Sequence, residues 1–221
     1  MKIPISGRLL ACCDFITPGD RVADIGCDHG YLGIYLLKNR IAAKVIASDI
    51  NEGPLQSAVR NSEKFGVRDR ISFYLSDGTR NIPRDFDTLV CAGMGGDTMV
   101  SILSAAPWLQ KGQYRLILQC QSKTPMLRQY LSDTGWQIAR EKVLRDGRFL
   151  YTVMEVLWNP DGPRLTPAQT YLPPALFTDP TPEVDDYRKW VIGGLRIATE
   201  HTDDPEKKSI LKELVSLAGD C

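Results

Sequence analysis

Residues 22–32, Val-Ala-Asp-Ile-Gly-Cys-Asp-His-Gly-Tyr-Leu, restrict the possible folds of this chain more than any other stretch. Arg21 to Ile25 is a short apolar run that closes on a glycine, as buried strands do. Gly30 to Asn39 follows with helical spacing, Leu32, Tyr35 and Leu36 lying three and four apart. A strand must therefore turn over glycines into a helix. No Cβ at Gly26 keeps a ligand from the backbone, and the helix behind presents free N–H groups and a positive dipole end.

The rest of the chain repeats the alternation. Strand patterns at Lys44–Ser48, Ile71–Leu75, Phe86–Ala92 and Tyr114–Gln119 are separated by helical patterns at Pro54–Phe65, Asp97–Leu103 and Thr124–Thr134. A short amphipathic helix, Ser6–Ile16, precedes the first strand. Trp136–Leu144 and Phe149–Trp158 predict a closing antiparallel hairpin turned at Asp146-Gly147. Strands alternating with helices imply an α/β fold: a Rossmann-like sheet, seven-stranded by this reading and covered on both faces. From Asn159 to Pro182 seven prolines, Pro180 among them, predict a connector without lasting regular structure. Helical spacing returns at Glu183–His201 and Pro205–Ala218, two helices turned at Thr202-Asp203-Asp204-Pro205. The predicted division is a catalytic domain, residues 1–158, and a connector with a helical pair, residues 159–221.

Composition excludes several classes. Lys plus Arg number 27 and Asp plus Glu 27, so no global field draws in nucleic acid or anionic lipid, and an RNA would have to be held by local patches. Six cysteines, Cys221 included, form no C-x-x-C pair and have no histidine cluster beside them, so no metal site is expected. Cys91 and Cys120 sit in apolar runs and read as buried small hydrophobes. No apolar run reaches the roughly 20 residues that span a bilayer, and no signal-peptide core opens the sequence; a cytoplasmic protein is expected.

The ends of the first three strands carry the chemistry. Asp49 lies 23 residues after Gly26, about where an acidic residue accepts hydrogen bonds from a ribose diol. A dinucleotide fingerprint needs a second glycine where this chain has Asp28. A carboxylate there repels a pyrophosphate but attracts a sulfonium and an ammonium, and Asp24 adds a second negative charge. S-adenosylmethionine carries both cations. Asp77 in Ser76-Asp77-Gly78 can accept from an exocyclic adenine amine, with Gly78 leaving room for the ring. Taken singly, Asp24 could cap a helix and Asp77 close an Asx-turn.

Together with Gly53-Pro54, Ala92-Gly93-Met94-Gly95-Gly96 and Leu116-Ile117-Leu118-Gln119, these segments resemble the bacterial tRNA adenine N1-methyltransferases of the TrmK type, which act at position 22. The resemblance covers roughly Ser6 to Val156. It departs at Cys120-Gln121, where the family usually continues Pro-Asn, and at Gly30, often Ala. It implies a Rossmann-like catalytic domain, a C-terminal helical extension, S-adenosylmethionine as cofactor and tRNA as partner. The cofactor set then comprises Asp24, Gly26, Asp28, His29, Gly30, Tyr31, Asp49, Ile50, Ser76, Asp77, Gly78, Ala92 and Gly93.

Adenine N1 has a free lone pair, so methylation needs no strong base, while the product ring is cationic. Asp28 is expected to stabilise that charge or to take a proton from the adenine amine; the alternative is cofactor binding alone. His29 contacts the cofactor or the base, or only packs. Met94, Gly95, Gly96 and Gln119 are expected on the substrate side. Phosphate contacts are expected from Arg8, Arg145 and Arg148, with Arg128 and Arg188 among further candidates. The basic run Lys207-Lys208 touches tRNA or only solvates a helix. Two alternatives stay open: a methyltransferase acting on a small molecule or protein, and a non-catalytic cofactor-binding module. Oligomeric state is not legible.

Overall fold

The computed structural model describes residues 2–178, 181–200 and 203–218. Pro180, His201, Thr202 and Cys221, named above, lie outside them. Seven strands form one sheet: β1 (Arg21–Ile25), β2 (Lys44–Asp49), β3 (Ile71–Leu75), β4 (Thr88–Gly95), β5 (Arg115–Ser122), β6 (Trp136–Asp146) and β7 (Phe149–Trp158). Their spatial order is β3-β2-β1-β4-β5-β7-β6. The first five run parallel, and β7 pairs antiparallel with both β5 and β6. Chain order reverses between β1 and β4, where an open α/β sheet leaves a crevice beyond its strand ends.

Period-two alternation builds both faces. Val22, Val45, Ala47, Val90 and Ile117 point to one side, packing under α1 (Gly7–Cys13), α2 (Tyr31–Lys38) and α3 (Glu52–Lys64). Ala23, Ile25, Leu89, Cys91, Leu116 and Leu118 point to the other, beneath α4 (Gly96–Ser104) and α5 (Thr124–Thr134). Cys91 and Cys120 are buried free thiols, and burial raises the pKa of both.

Several element ends shift from the sequence reading: α1 stops at Cys13, not Ile16, and β5 runs to Ser122, not Gln119. β4 runs on to Gly95 instead of ending at Ala92, because bulges let Met94 pair with Cys120 and Gly95 with Ser122. Gly93 to Gly95 are therefore the strand's distorted end, and Gly96 opens α4. The proline-rich connector is also more regular than expected. It contains α6 (Pro167–Tyr171) and α7 (Ala175–Thr178). Pro167 takes the first turn of α6, where its missing N–H costs nothing, and Thr166 with Gln169 forms a capping box.

The connector's Leu172 and Leu176 are fully buried beside Val184, Tyr187, Val191 and Leu195 of α8 (Pro182–Glu200) and Ile210 and Leu214 of α9 (Pro205–Ala218). Val143 of β6 belongs to the same cluster. Beneath it lies Arg128, expected to meet phosphate. Instead its side chain is fully buried: it pairs with Glu141 at 2.6 Å and donates to the Thr170 and Tyr171 carbonyls, each at 2.8 Å. Arg188 likewise lies over the Phe177 ring and pairs with Asp185. Among the described residues, no helix is long and apolar enough to cross a membrane.

Candidate active site

The crevice at the switch point is a cavity of 680 Å³ walled by the C-terminal ends of β1, β2 and β4, the loop after β3 and one side of α4. Its shape begins with the turn after β1. The Gly26 and Cys27 N–H groups both donate to the Ser48 carbonyl at 2.8 Å, and Gly30 N–H closes on Cys27 O at 2.7 Å. Asp28 has φ of 49°, uncommon for a residue with a side chain, and its N–H donates to Asp49 Oδ2 at 3.1 Å. Asp49 Oδ1 accepts from Asn51 N–H at 2.9 Å, so this one carboxylate fixes two loops. Gly30 has φ of 72°, and a Cβ there would stand 2.9 Å from Ala58 Cβ, so α3 closes against the turn only because the residue is glycine.

The charges differ in burial. Asp24 is 4% exposed, and its Oδ2 has no hydrogen-bond partner. Burial, then the negative charge of Asp49, raises its pKa to about 7; the Gly33 N–H works the other way. Asp28, by contrast, is exposed, with its Oδ1 3.7 Å from His29 Nε2. Arg8 is the cationic side chain among the described residues that line the cavity, and its Nε is buried without a partner.

The structure brings Asp24, Gly26, Asp28, Asp49, Ile50, Ser76, Asp77, Gly78, Ala92, Gly93, Met94 and Arg8 around this one cavity. Ser76 Oγ donates to Gly78 O at 2.9 Å and accepts from Asn81 N–H at 3.0 Å, which sets the β3 loop. Asp77 pairs with Arg80 at 3.2 Å. His29, Gly30 and Tyr31 lie behind the turn: the His29 carbonyl accepts from Asn61 Nδ2 at 3.0 Å, and its ring lies 5.9 Å from that of Tyr31. Gly95 and Gly96 back against the end of β5, where added Cβ atoms would stand 2.9 Å from Ser122 Oγ and 2.7 Å from Lys123 O.

Gln119, expected to touch substrate, is fully buried beneath the Gly93 turn. Its Oε1 accepts from Gly93 N–H at 2.9 Å and its Nε2 donates to Cys120 O at 3.2 Å, so it holds Gly93 in place. Arg145 and Arg148 stand on the β6–β7 hairpin tip, outside the cavity. Arg145 pairs with Asp186 at 2.5 Å, and the Arg148 guanidinium covers Phe149. The same tip reaches α1, where Asp146 Oδ2 accepts from Arg8 N–H at 3.4 Å.

Besides Leu9, Ile25, Cys27 and Leu32, one group of wall residues escaped the sequence reading: Asp97, Thr98, Ser101 and Ile102 of α4. Their spacing marks one helical face, and it becomes informative only once the helix start at Gly96 is known. Among the described residues no cluster of three or more His, Cys, Asp or Glu could hold a metal ion.

A family model described as a methyltransferase domain matches residues 5–154. The tRNA (adenine(22)-N(1))-methyltransferase of Bacillus subtilis (strain 168) is 34% identical over 154 residues, 69% of this chain and 65% of that protein. The match thus spans just under two thirds of that relative. Among solved structures, the B. subtilis M1A22 tRNA methyltransferase TrmK has a TM-score of 0.81 at 28% identity, covering 98% of this chain and 97% of that chain. A Streptococcus pneumoniae protein crystallised with S-adenosyl-L-methionine gives 0.85 at 29% identity, covering 96% of this chain and 99% of that one. By fold the chain is similar to the B. subtilis TrmK structure over nearly its whole length, and by sequence over residues 5–154 it belongs to the methyltransferase-domain family.

Proposed function

We propose that this chain is an S-adenosylmethionine-dependent methyltransferase that modifies N1 of an adenine in tRNA, at position 22. The observation that carries this reading is the unpartnered Asp24 Oδ2, buried at a cavity that Asp28, Asp49 and Asp77 also line. A diphosphate cofactor would meet repulsion there, while a cation gains above all from the buried Asp24, the exposed Asp28 being screened by water. The residues therefore fit S-adenosylmethionine, which supplies a methyl group made electrophilic by its positive sulfur. The relatives that methylate adenine 22 of tRNA supply the substrate class, and such a substrate places the enzyme's work in the cytoplasm.

Asp24 offers its free oxygen to a cation at the closed end of the cavity. Asp49, though it accepts from Asp28 and Asn51, keeps lone pairs for hydroxyl donors. The Ser76–Gly78 loop, with Ile50 and Ile102, forms a slot with apolar walls and acidic Asp77 at its edge. Arg8 places a positive charge in the cavity for a carboxylate or phosphate.

Asp28 is the catalytic residue of this account, with His29 beside it. Its carboxylate stands at the cavity rim, where an adenine presented from outside meets it. There it offsets the positive charge developing on the ring, or receives a proton from the exocyclic amine. Gly93 and Met94 offer backbone at which that base can rest, and Gln119 keeps Gly93 in position. N1 is occupied in a Watson–Crick pair, so the adenine must be unpaired or extruded first.

The test is to incubate the protein with S-adenosylmethionine and unmodified tRNA, then digest to nucleosides. N1-methyladenosine is expected, lost when position 22 is not adenine. No methylated nucleoside in any tRNA, with turnover on a protein or small molecule instead, overturns the reading.

A further inference from the structure

A second cavity, of 370 Å³, lies beyond the end of β5, between the β6–β7 hairpin and α8. That volume falls in the range of small-ligand pockets, roughly 300–1,000 Å³. Its walls carry four aromatic rings, Tyr151, Tyr171, Tyr187 and Trp190. Trp190 is 65% exposed, an unusual position for an indole that does nothing, and its ring lies 5.7 Å from that of Tyr187. Lys123 and Lys207 stand at the same cavity. Each is tied to an aspartate, Lys123 to exposed Asp97 at 2.6 Å and Lys207 to half-buried Asp204 at 3.2 Å. Pairs open to solvent hold weakly, so the Lys123 ammonium above all can turn to a phosphate.

Gln121 links this cavity to the cofactor cavity. It lines the second, and its Nε2 is 3.5 Å from where a Cβ on Gly93 would stand, while Gly93 lines the first. A glycine pair adds a third observation. Gly193-Gly194 interrupts the middle of the 19-residue α8, where glycine weakens a helix. Packing does not require it, since a Cβ on either would meet nothing within 4 Å. Gly194 lines the cavity, one turn from Trp190 and one from Ala198, so its missing side chain keeps that wall flat.

We propose that this cavity binds an unpaired nucleobase of the RNA substrate, a neighbour along the strand of the base that is methylated, stacked on Trp190 beside the half-buried Tyr151 and Tyr171, with the buried Tyr187 backing the indole. The inference rests on the tRNA reading above. The methylated base itself must reach the first cavity, so the base held beyond Gln121 is a different one. Aromatic faces flanked by cations are the common means of holding single-stranded nucleic acid.

Equilibrium binding of a labelled, unmodified tRNA transcript tests it, alongside S-adenosylmethionine affinity and thermal midpoint. Gly194→Leu and Trp190→Ala are each expected to raise the tRNA Kd about tenfold, the scale of one lost base stack. Cofactor affinity should stay unchanged, and Gly194→Leu should not lower the midpoint. Gly193→Ala should bind tRNA as the unaltered protein does. Removing single bases on either side of the methylated adenine should reveal one abasic position that costs affinity in the unaltered protein and nothing further in Gly194→Leu. Unchanged tRNA affinity in both variants, with methylation intact, overturns this proposal alone. No RNA methylation by the unaltered protein overturns it together with the tRNA reading. A concentration-dependent dimer lost in Trp190→Ala, with RNA affinity unchanged, overturns it in favour of a second copy of the chain.

Discussion

The two ends of this molecule are held by opposite uses of charge. At the cofactor end, carboxylates are left underpaired: Asp24 Oδ2 is buried without a partner, and Asp28 extends from a left-handed turn. At the C-terminal end the one fully buried cation among the described residues, Arg128, has its charge answered by Glu141 and by two backbone carbonyls, although its Nε and Glu141 Oε2 make no hydrogen bond. The first arrangement costs stability wherever Asp24 is ionised, a cost that a bound cation offsets. The second ties the extension to the sheet, because removing either partner strands a charge in a dry interior. An unanswered buried charge marks a binding site, and an answered one marks a joint.

The joint should give the largest effect. Arg128→Met leaves the Glu141 carboxyl buried without its cation and is expected to destabilise by about 3–5 kcal/mol, lowering Tm by on the order of 10 °C in calorimetry. Arg128→Met with Glu141→Leu should regain most of that loss. A single variant that melts like the unaltered protein would break the contrast.

Asp28→Asn comes next. Its kcat on tRNA should fall by about a hundredfold or more, with cofactor affinity near that of the unaltered protein. If cofactor Kd rises in step, Asp28 is a cofactor ligand and the catalytic assignment fails.

The third effect follows from the raised pKa of Asp24. Its folded value of about 7 exceeds the unfolded 3.8, so the native state binds more protons in between. The stability this gives is complete below pH 3.8 and is lost as pH rises through 7. Between pH 6 and 8 the protein without cofactor should lose about 1.4 kcal/mol from this group. Asp24→Asn should remove that slope in thermal melts, and a slope of the same size in the variant would assign it elsewhere.

The smallest effect is at the hairpin tip. Arg145 and Asp186 form an exposed pair, so Arg145→Ala should change stability by no more than about 1 kcal/mol. If Arg145 meets phosphate, the salt dependence of tRNA binding should become shallower by about one ion. An unchanged slope removes it from the RNA surface.

The same contrast explains what the sequence could reveal. The turn at Gly26–Gly30, the strand-end aspartates and the alternation of strands and helices are local patterns, legible because backbone and ligand chemistry demand particular residue types at particular places. Arg128 looked like any surface arginine. Its partners lie 13, 42 and 43 residues away, and nothing local announces them. The same holds for Gln119, which serves Gly93 from a neighbouring strand, and for the connector, where proline count hid that Pro167 opens a capped helix. β4 overran its expected end because strand pairing with β5, bulges included, outweighed the glycines' preference for a turn.

The central claim is that a buried, underpaired carboxylate selects a cationic cofactor. Calorimetric titration with S-adenosylmethionine at pH 5.5 and 7.5, and with NAD at both, tests it most directly. The account predicts that S-adenosylmethionine binds and does so more tightly at pH 7.5, where Asp24 is more fully ionised, while NAD does not bind. Binding of NAD, or a cofactor affinity that falls as pH rises, would contradict it.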